Sequence, residues 1–266
     1  MASRRTSPNV PSRKPMRMVL SDEIFETIRG MLLTHEIKPG ERLNIDSVAR
    51  KLDVSQTPVR EALARLESEE LVVKQPLRGY AATQVLSVEQ LDDLFQFRSI
   101  IEPWAASAAA AKISEAGANA LLQELEAGRL AGELDIDDAY AAMSEHDARF
   151  HELIASESGS EFVRDAFART HCHLHLFRLY QVLQTWMSES NEGAKVVSEL
   201  FKLYYQPEGG FLAFTEHQAI AKAILEGRSE EAGSLMLNHI ESSRQRFGPT
   251  MEAINRGSAN KTLGPS

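Results

Sequence analysis

Between Leu52 and Ser55 the chain leaves room for only a tight turn, Asp53-Val54, and the residues on both sides of it have helical spacing. Upstream, Asn44 can cap a helix that carries Ile45, Val48, Ala49 and Leu52. Downstream, Ser55 opens a helix to about Glu70 that turns Val59, Leu63 and Leu66 inward, with Pro58 in the first turn, where a missing N–H costs little. Two helices joined so closely must cross steeply, which leaves the N-terminus of the second one projecting. That end offers free N–H groups and the positive end of a dipole, both suited to phosphate. Gln56, Thr57 and Arg60 stand beside it and can reach base edges or phosphates in a major groove. Spacing alone would admit many unrelated helical hairpins, so the flanking residues have to decide.

The flanks narrow the choice. Val19 to Thr34 places Leu20, Ile24, Ile28, Met31 and Leu32 on one helical face, and Lys38-Pro39-Gly40 is a turn. Leu71-Val72-Val73 is β-prone, Gln75 to Gly79 turns, and Tyr80-Ala81-Ala82-Thr83 can return as a second strand. Three helices followed by a β-hairpin is the order of a winged helix-turn-helix, expected over residues 19–84. The run Leu52-Asp53-Val54-Ser55-Gln56-Thr57-Pro58-Val59-Arg60-Glu61-Ala62-Leu63, followed by Leu66, Leu71-Val72 and Arg78-Gly79, closely resembles the GntR family of bacterial regulators. The resemblance implies that the recognition helix enters the major groove and the wing touches the minor groove. It assigns DNA contacts to Ser55, Gln56, Thr57, Arg60, Arg78 and Gly79. The family's usual turn glycine is Asp53 here, and the glycine that often ends the recognition helix is Glu70. Gln56 stands where the family usually has Arg, which moves the expected preference from guanine towards adenine.

Charge is compatible with this reading once its distribution is followed. The 266-residue chain carries a net −9, but residues 1–86 hold 14 basic and 11 acidic side chains against 15 and 27 in the remainder. Phosphate responds to local potential, so an acidic second part does not count against a basic first part. Residues 1–18, with five basic and no acidic residues, read as a disordered basic arm. Gly248-Pro249 reads as a helix stop, with a disordered tail over 248–266. The lone Cys172, the missing apolar leader and the absence of an apolar run of roughly 18 residues fit a cytoplasmic protein without a membrane segment.

From Ser87 strand signals vanish. Ser87-Val88-Glu89-Gln90 is a capping box opening a long helix, and further helices are expected over about 114–131, 136–156, 160–184, 213–227 and 229–246. Residues 186–212 are ambiguous. The fold expected is mainly α, with an all-α antiparallel helical bundle over residues 87–247 behind the winged domain.

Within that bundle, Asp147 and His151 are four residues apart on one helical face, a workable spacing for two metal ligands, and His217 and His239 fall at similar points of two later helices. A carboxylate with three imidazoles suits Zn, Ni, Fe or Mn, although by spacing alone scattered surface histidines are the readier reading. Asp147-(x2)-Phe150-His151-(x2)-Ile154, Ser158-Gly159, Glu216-His217-(x2)-Ile220-(x2)-Ala223-Ile224-(x2)-Gly227, His239, and Arg98-(x3)-Glu102-Pro103 together resemble the FCD effector domain of the FadR subfamily of GntR regulators. That resemblance implies a central cavity in which a divalent transition metal, zinc first, is held by Asp147, His151, His217 and His239 and helps bind a carboxylate effector. Arg98 could bind the effector's carboxylate or pair with Glu102. One of His171, His173 and His175 could line the cavity, although solvent or core is the expected place for them; Trp186, Phe201, Tyr204, Tyr205, Phe211 and Phe214 could wall it or fill core, and core is expected.

The function expected is a transcriptional regulator rather than an enzyme: a homodimer on a palindromic DNA operator, a repressor by family default, modulated by a small organic acid. Two alternatives remain: a metal-dependent hydrolase, for which Glu152 beside His151 is the only argument, and a regulator whose metal is purely structural or itself the signal.

Overall fold

The computed structural model describes residues 14–33, 36–76, 79–134, 136–173, 175–176, 179 and 212–262. The chain divides into two compact units, Met1–Gln84 and Val85–Ser266.

In the first unit, α1 (Lys14–Leu33), α2 (Ile45–Lys51) and α3 (Gln56–Ser68) surround a core sealed by Ile28, Leu32, Val59, Leu63 and Leu66. Helix α1 starts at Lys14, earlier than the Val19 expected from apolar spacing, and residues 1–13 lie outside the described residues. Pro15 falls in the first turn, where it is tolerated, and Met16, Arg17 and Met18 are good helix formers. The Asn44 side chain caps α2, accepting from the Asp46 and Ser47 amides at 2.9 and 3.1 Å. Asp53 and Glu70, both at former glycine positions, adopt the left-handed conformation (φ 52° and 57°). The wing pairs β2 (Val72–Gln75) with β3 (Gly79–Ala82), and β3 also pairs with β1 (Arg42–Leu43), giving the antiparallel order β1-β3-β2. Strand β1 has only two residues, too few for an alternating pattern to announce it.

The second unit is helical throughout its described residues: α4 (Val88–Lys112), α5 (Glu115–Ala131), α6 (Ile136–Glu157), α7 (Glu161–Thr170), α8 (Leu212–Leu225) and α9 (Ser229–Thr262). Helix α4 packs on α9 and α6, α5 on α6, and α8 on α9. Their shared core holds Phe95, Ala106, Phe150, Ile220, Ile224 and Met236. Small alanines on α4 and α8 let the helix backbones approach, so side chains reaching inward from α6, α8 and α9 meet at one depth.

Two further expectations need correction. Helix α7 does not run to residue 184; it ends at His171, in the left-handed conformation (φ 42°), and helix resumes at Cys172. The Thr170 hydroxyl donates to the Phe167 carbonyl, a local bond that competes with helix continuation. Nor does α9 stop at Gly248-Pro249, since it continues to Thr262 in place of a disordered tail from 248. A proline removes one backbone bond and bends a helix without ending it when good helix formers such as Met251, Glu252 and Ala253 follow; α4 likewise carries Pro103 internally. The ambiguous stretch from residue 186, including Trp186, Phe201, Tyr204, Tyr205 and Phe211, lies outside the described residues up to Leu212. No helix of the described residues is long and apolar enough to cross a membrane.

Candidate functional site

Asp147 and His151 project from α6, His217 from α8 and His239 from α9. One ligand atom from each of the four lies within 4.8 Å of the other three. The Nε2 atoms of His151 and His217 are 3.2 and 3.3 Å from that of His239, and Asp147 Oδ1 is 3.2 Å from His217 Nε2 and 3.8 Å from His151 Nε2. All three imidazoles are buried.

The other ring nitrogens determine what these atoms can be. His151 Nδ1 faces the Glu102 carboxylate, and His239 Nδ1 lies 2.8 Å from Glu216. A carboxylate only accepts, so both Nδ1 atoms donate and both Nε2 atoms carry lone pairs. His217 Nδ1 lies 3.0 Å from His146 Nε2, and His146 Nδ1 is 3.0 Å from Glu124. The same logic carried along this chain makes His217 Nδ1 the donor and leaves its Nε2 bare. Three lone pairs and a carboxylate oxygen therefore converge on one buried point, an arrangement that repels itself unless a positive charge sits between them. Three of these separations, 3.2–3.3 Å, match the edge, about 3.3 Å, of a tetrahedron with ~2.0–2.1 Å metal–ligand bonds, while Asp147 Oδ1 to His151 Nε2 is longer at 3.8 Å. The donor set fits a divalent transition metal.

Electrostatics keep these groups in forms that can bind a cation. Burial pushes the His151 imidazole down to about 4, against the opposing pull of Glu102, and burial likewise holds His217 well below its ordinary value. Enclosure works against charge on Asp147, yet His173, His217 and His151 hold its carboxyl well below the usual range. Phe150 stacks on the His217 ring at 4.1 Å between centroids.

Arg98 is buried and grips Glu102 with its guanidinium, while its Nη2 lies 3.5 Å from His173 Nε2. It thus anchors the carboxylate that orients His151. His173, for which solvent, core and cavity were all open, is buried with Nε2 3.1 Å from Asp147 Oδ2 and Nδ1 3.3 Å from Cys172 Sγ. Burial disfavours its charge, but Cys172 and Asp147 push it up to about 10. The helix break at His171 shifts the phase of the following turn, so the alternating histidines could not be assigned to faces by counting from α7. Glu102 was read only as a partner for Arg98, Glu216 and His146 stood inside or beside recognisable motifs without a role, and Glu124 gave no signal at all. Phe214 packs edge-on against His146 as core. A groove between α4 and α9, walled by Val88, Leu91, Phe95, Arg244 and Phe247, is lined by none of the four converging residues.

In the winged unit, Ser55, Gln56, Thr57 and Arg60 are all exposed at the start of α3, above buried Pro58 and Val59. Ser55 holds the N-cap position without a side-chain capping bond, and Arg60 Nη2 donates to Gln56 Oε1 at 3.2 Å. Gly79 opens β3 at φ 85°, a conformation L side chains rarely adopt, and is exposed. Arg78 lies outside the described residues.

Residues 20–82 match the bacterial regulatory proteins of the gntR family, and residues 93–242 match the FCD domain. The chain is a GntR-family transcriptional regulator with an FCD domain. Among relatives of this regulator, the Nta operon transcriptional regulator of Aminobacter aminovorans is 34% identical over 41% of this chain and 55% of its own length. LutR of Bacillus subtilis is 24% identical over 79% of this chain and 93% of its own. RspR, an HTH-type transcriptional repressor of Escherichia coli, is 29% identical over 55% and 62%. Its fold is shared with E. coli McbR/YncC (TM-score 0.62, 18% identity, covering 85% of this chain and 95% of that one) and with a GntR regulator from Rhodococcus sp. RHA1 (0.60, 21%, 86% and 97%).

Proposed function

We propose that this regulator binds a palindromic operator as a homodimer and that a small carboxylate metabolite, bound beside a divalent transition metal held by Asp147, His151, His217 and His239, controls operator occupancy. The convergence of three Nε2 lone pairs and Asp147 Oδ1 on one buried point carries the reading. The metal supplies a Lewis-acidic centre to which a carboxylate can add. Arg98 holds Glu102, which orients His151; Glu216 orients His239; and the three helices α6, α8 and α9 are tied to a common point. An effector there changes DNA affinity only by favouring one arrangement of the winged domains over another. Repression is the sense proposed, in keeping with the repressor among the relatives.

For DNA, Gln56, Thr57 and Arg60 are the proposed readers in the major groove, with Ser55 and the wing residues Arg78 and Gly79 on the backbone or minor groove. A single winged helix reads only a few base pairs, so specificity calls for two copies. The helical unit is the proposed dimer contact; Ile100 and Trp104, one turn apart on α4, are large apolar residues left exposed there. The hydrolase alternative is weaker, because Glu152 is exposed while His151 is buried.

The test is to titrate purified protein with candidate organic acids, with and without chelator, following operator binding. Acid-dependent release that chelator abolishes is expected. An effector response indifferent to chelator would leave the metal a structural role or none, and turnover of an acid would favour the enzyme.

A further inference from the structure

His146 precedes Asp147 on α6, is fully buried, and places Nε2 3.0 Å from His217 Nδ1. Its Nδ1 lies 3.0 Å from Glu124 Oε1 on α5, a mostly buried carboxylate whose second oxygen accepts from Arg149 at 2.9 Å. Helix α5 makes room for the ring. A Cβ on Gly128 would come within 2.7 Å of the His146 imidazole, so this glycine, which favours its helix less than alanine would, leaves the space the ring fills.

We infer that His146 and Glu124 are positioning residues for the metal centre, a carboxylate–imidazole–imidazole relay that holds His217 in the tautomer and orientation with Nε2 bare. The inference rests on the metal reading above. Glu124, anchored by Arg149, accepts the His146 Nδ1 proton; His146 Nε2 then accepts the His217 Nδ1 proton; and His217 Nε2 has no proton to lose when a cation arrives. His151 and His239 need only one carboxylate each, whereas His217 has no acid within reach on its far side among its described hydrogen bonds and obtains one through His146. The relay also brings α5, which supplies no ligand, into register with the centre.

The test measures zinc and nickel affinity by chelator competition, together with thermal unfolding of the metal-free full-length protein. Variants are His146→Leu, which removes the acceptor; His146→Gln, whose amide oxygen can replace Nε2; Glu124→Gln; and Gly128→Ala. Loss of such an outer partner characteristically weakens a metal site by about 10–100-fold. His146→Leu is expected to lose affinity by that factor, with substantial recovery in His146→Gln. Gly128→Ala should weaken metal binding although alanine favours the helix. Unchanged affinity in His146→Leu would overturn the relay, as would equal losses in the Leu and Gln variants that track a lowered metal-free melting temperature. A wild-type protein that binds neither metal would instead overturn the metal reading itself.

Discussion

The His217 imidazole lies nearly flat on the Phe150 ring, 15° from parallel, so one turn of α6 supplies both a converging ring nitrogen at His151 and the surface that orients a second one on α8. Phe150 is completely buried. It therefore acts as core and as a stop against which His217 cannot rotate.

Replacing Phe150 should expose both roles. Phe150→Ala is expected to destabilise the helical unit by roughly 3–5 kcal/mol, as large buried aromatics do when truncated. Phe150→Leu should keep most of the packing yet still weaken metal binding, because an aliphatic side chain offers no flat face. Chemical denaturation and chelator competition on the two variants separate these effects; metal affinity unchanged in Phe150→Leu would reduce the residue to packing alone.

Removing the metal should lower the melting temperature and abolish the effector response while leaving much of the effector-free operator affinity, since the winged unit has its own core. His217→Ala and His239→Ala should reproduce the chelated state, with low metal content by elemental analysis. Full metal content and a normal response in both variants would refute the four-ligand site.

On the DNA side, Arg60→Ala should cost about 1–3 kcal/mol of operator affinity if its guanidinium makes a bidentate contact. Because Arg60 donates to Gln56 in the free protein, that bond must open or be shared when either side chain reaches a base. Gln56→Arg should move the preferred half-site towards guanine in a binding selection. An unaltered preference would remove Gln56 from the base readers.

Dimerisation through the helical unit predicts that Trp104→Glu, which places a charge on an exposed apolar stretch of α4, shifts sedimentation towards monomer and weakens binding to a full palindrome more than to a half-site. A wild-type protein that is monomeric at micromolar concentration would dispose of this prediction.

What the residues announced on their own was local. Asn44, Ser87, Ser114 and Ser160 cap the helices that follow them, and Asp53 turns left-handed between α2 and α3, because a cap or a turn is decided by the backbone groups within three or four residues. The four-residue step from Asp147 to His151 was likewise readable, being a property of a single helix. Helix ends were less so: α1 begins earlier and α9 runs further than expected because good helix formers flank Pro15 and Pro249, whereas α7 stops short at His171, where the Thr170 hydroxyl bonds back to Phe167.

The tertiary structure alone decided which atoms face which. That Glu124 reaches His146, that Arg98 is committed to Glu102, and that His173 turns inward to Asp147 are outcomes of helices α4, α5, α6 and α7 settling on a common core. Spacing along one helix sets the face on which a side chain lies. The partner it meets there, and the tautomer that partner imposes, depend on the depth and rotation of a second helix, which the whole core determines.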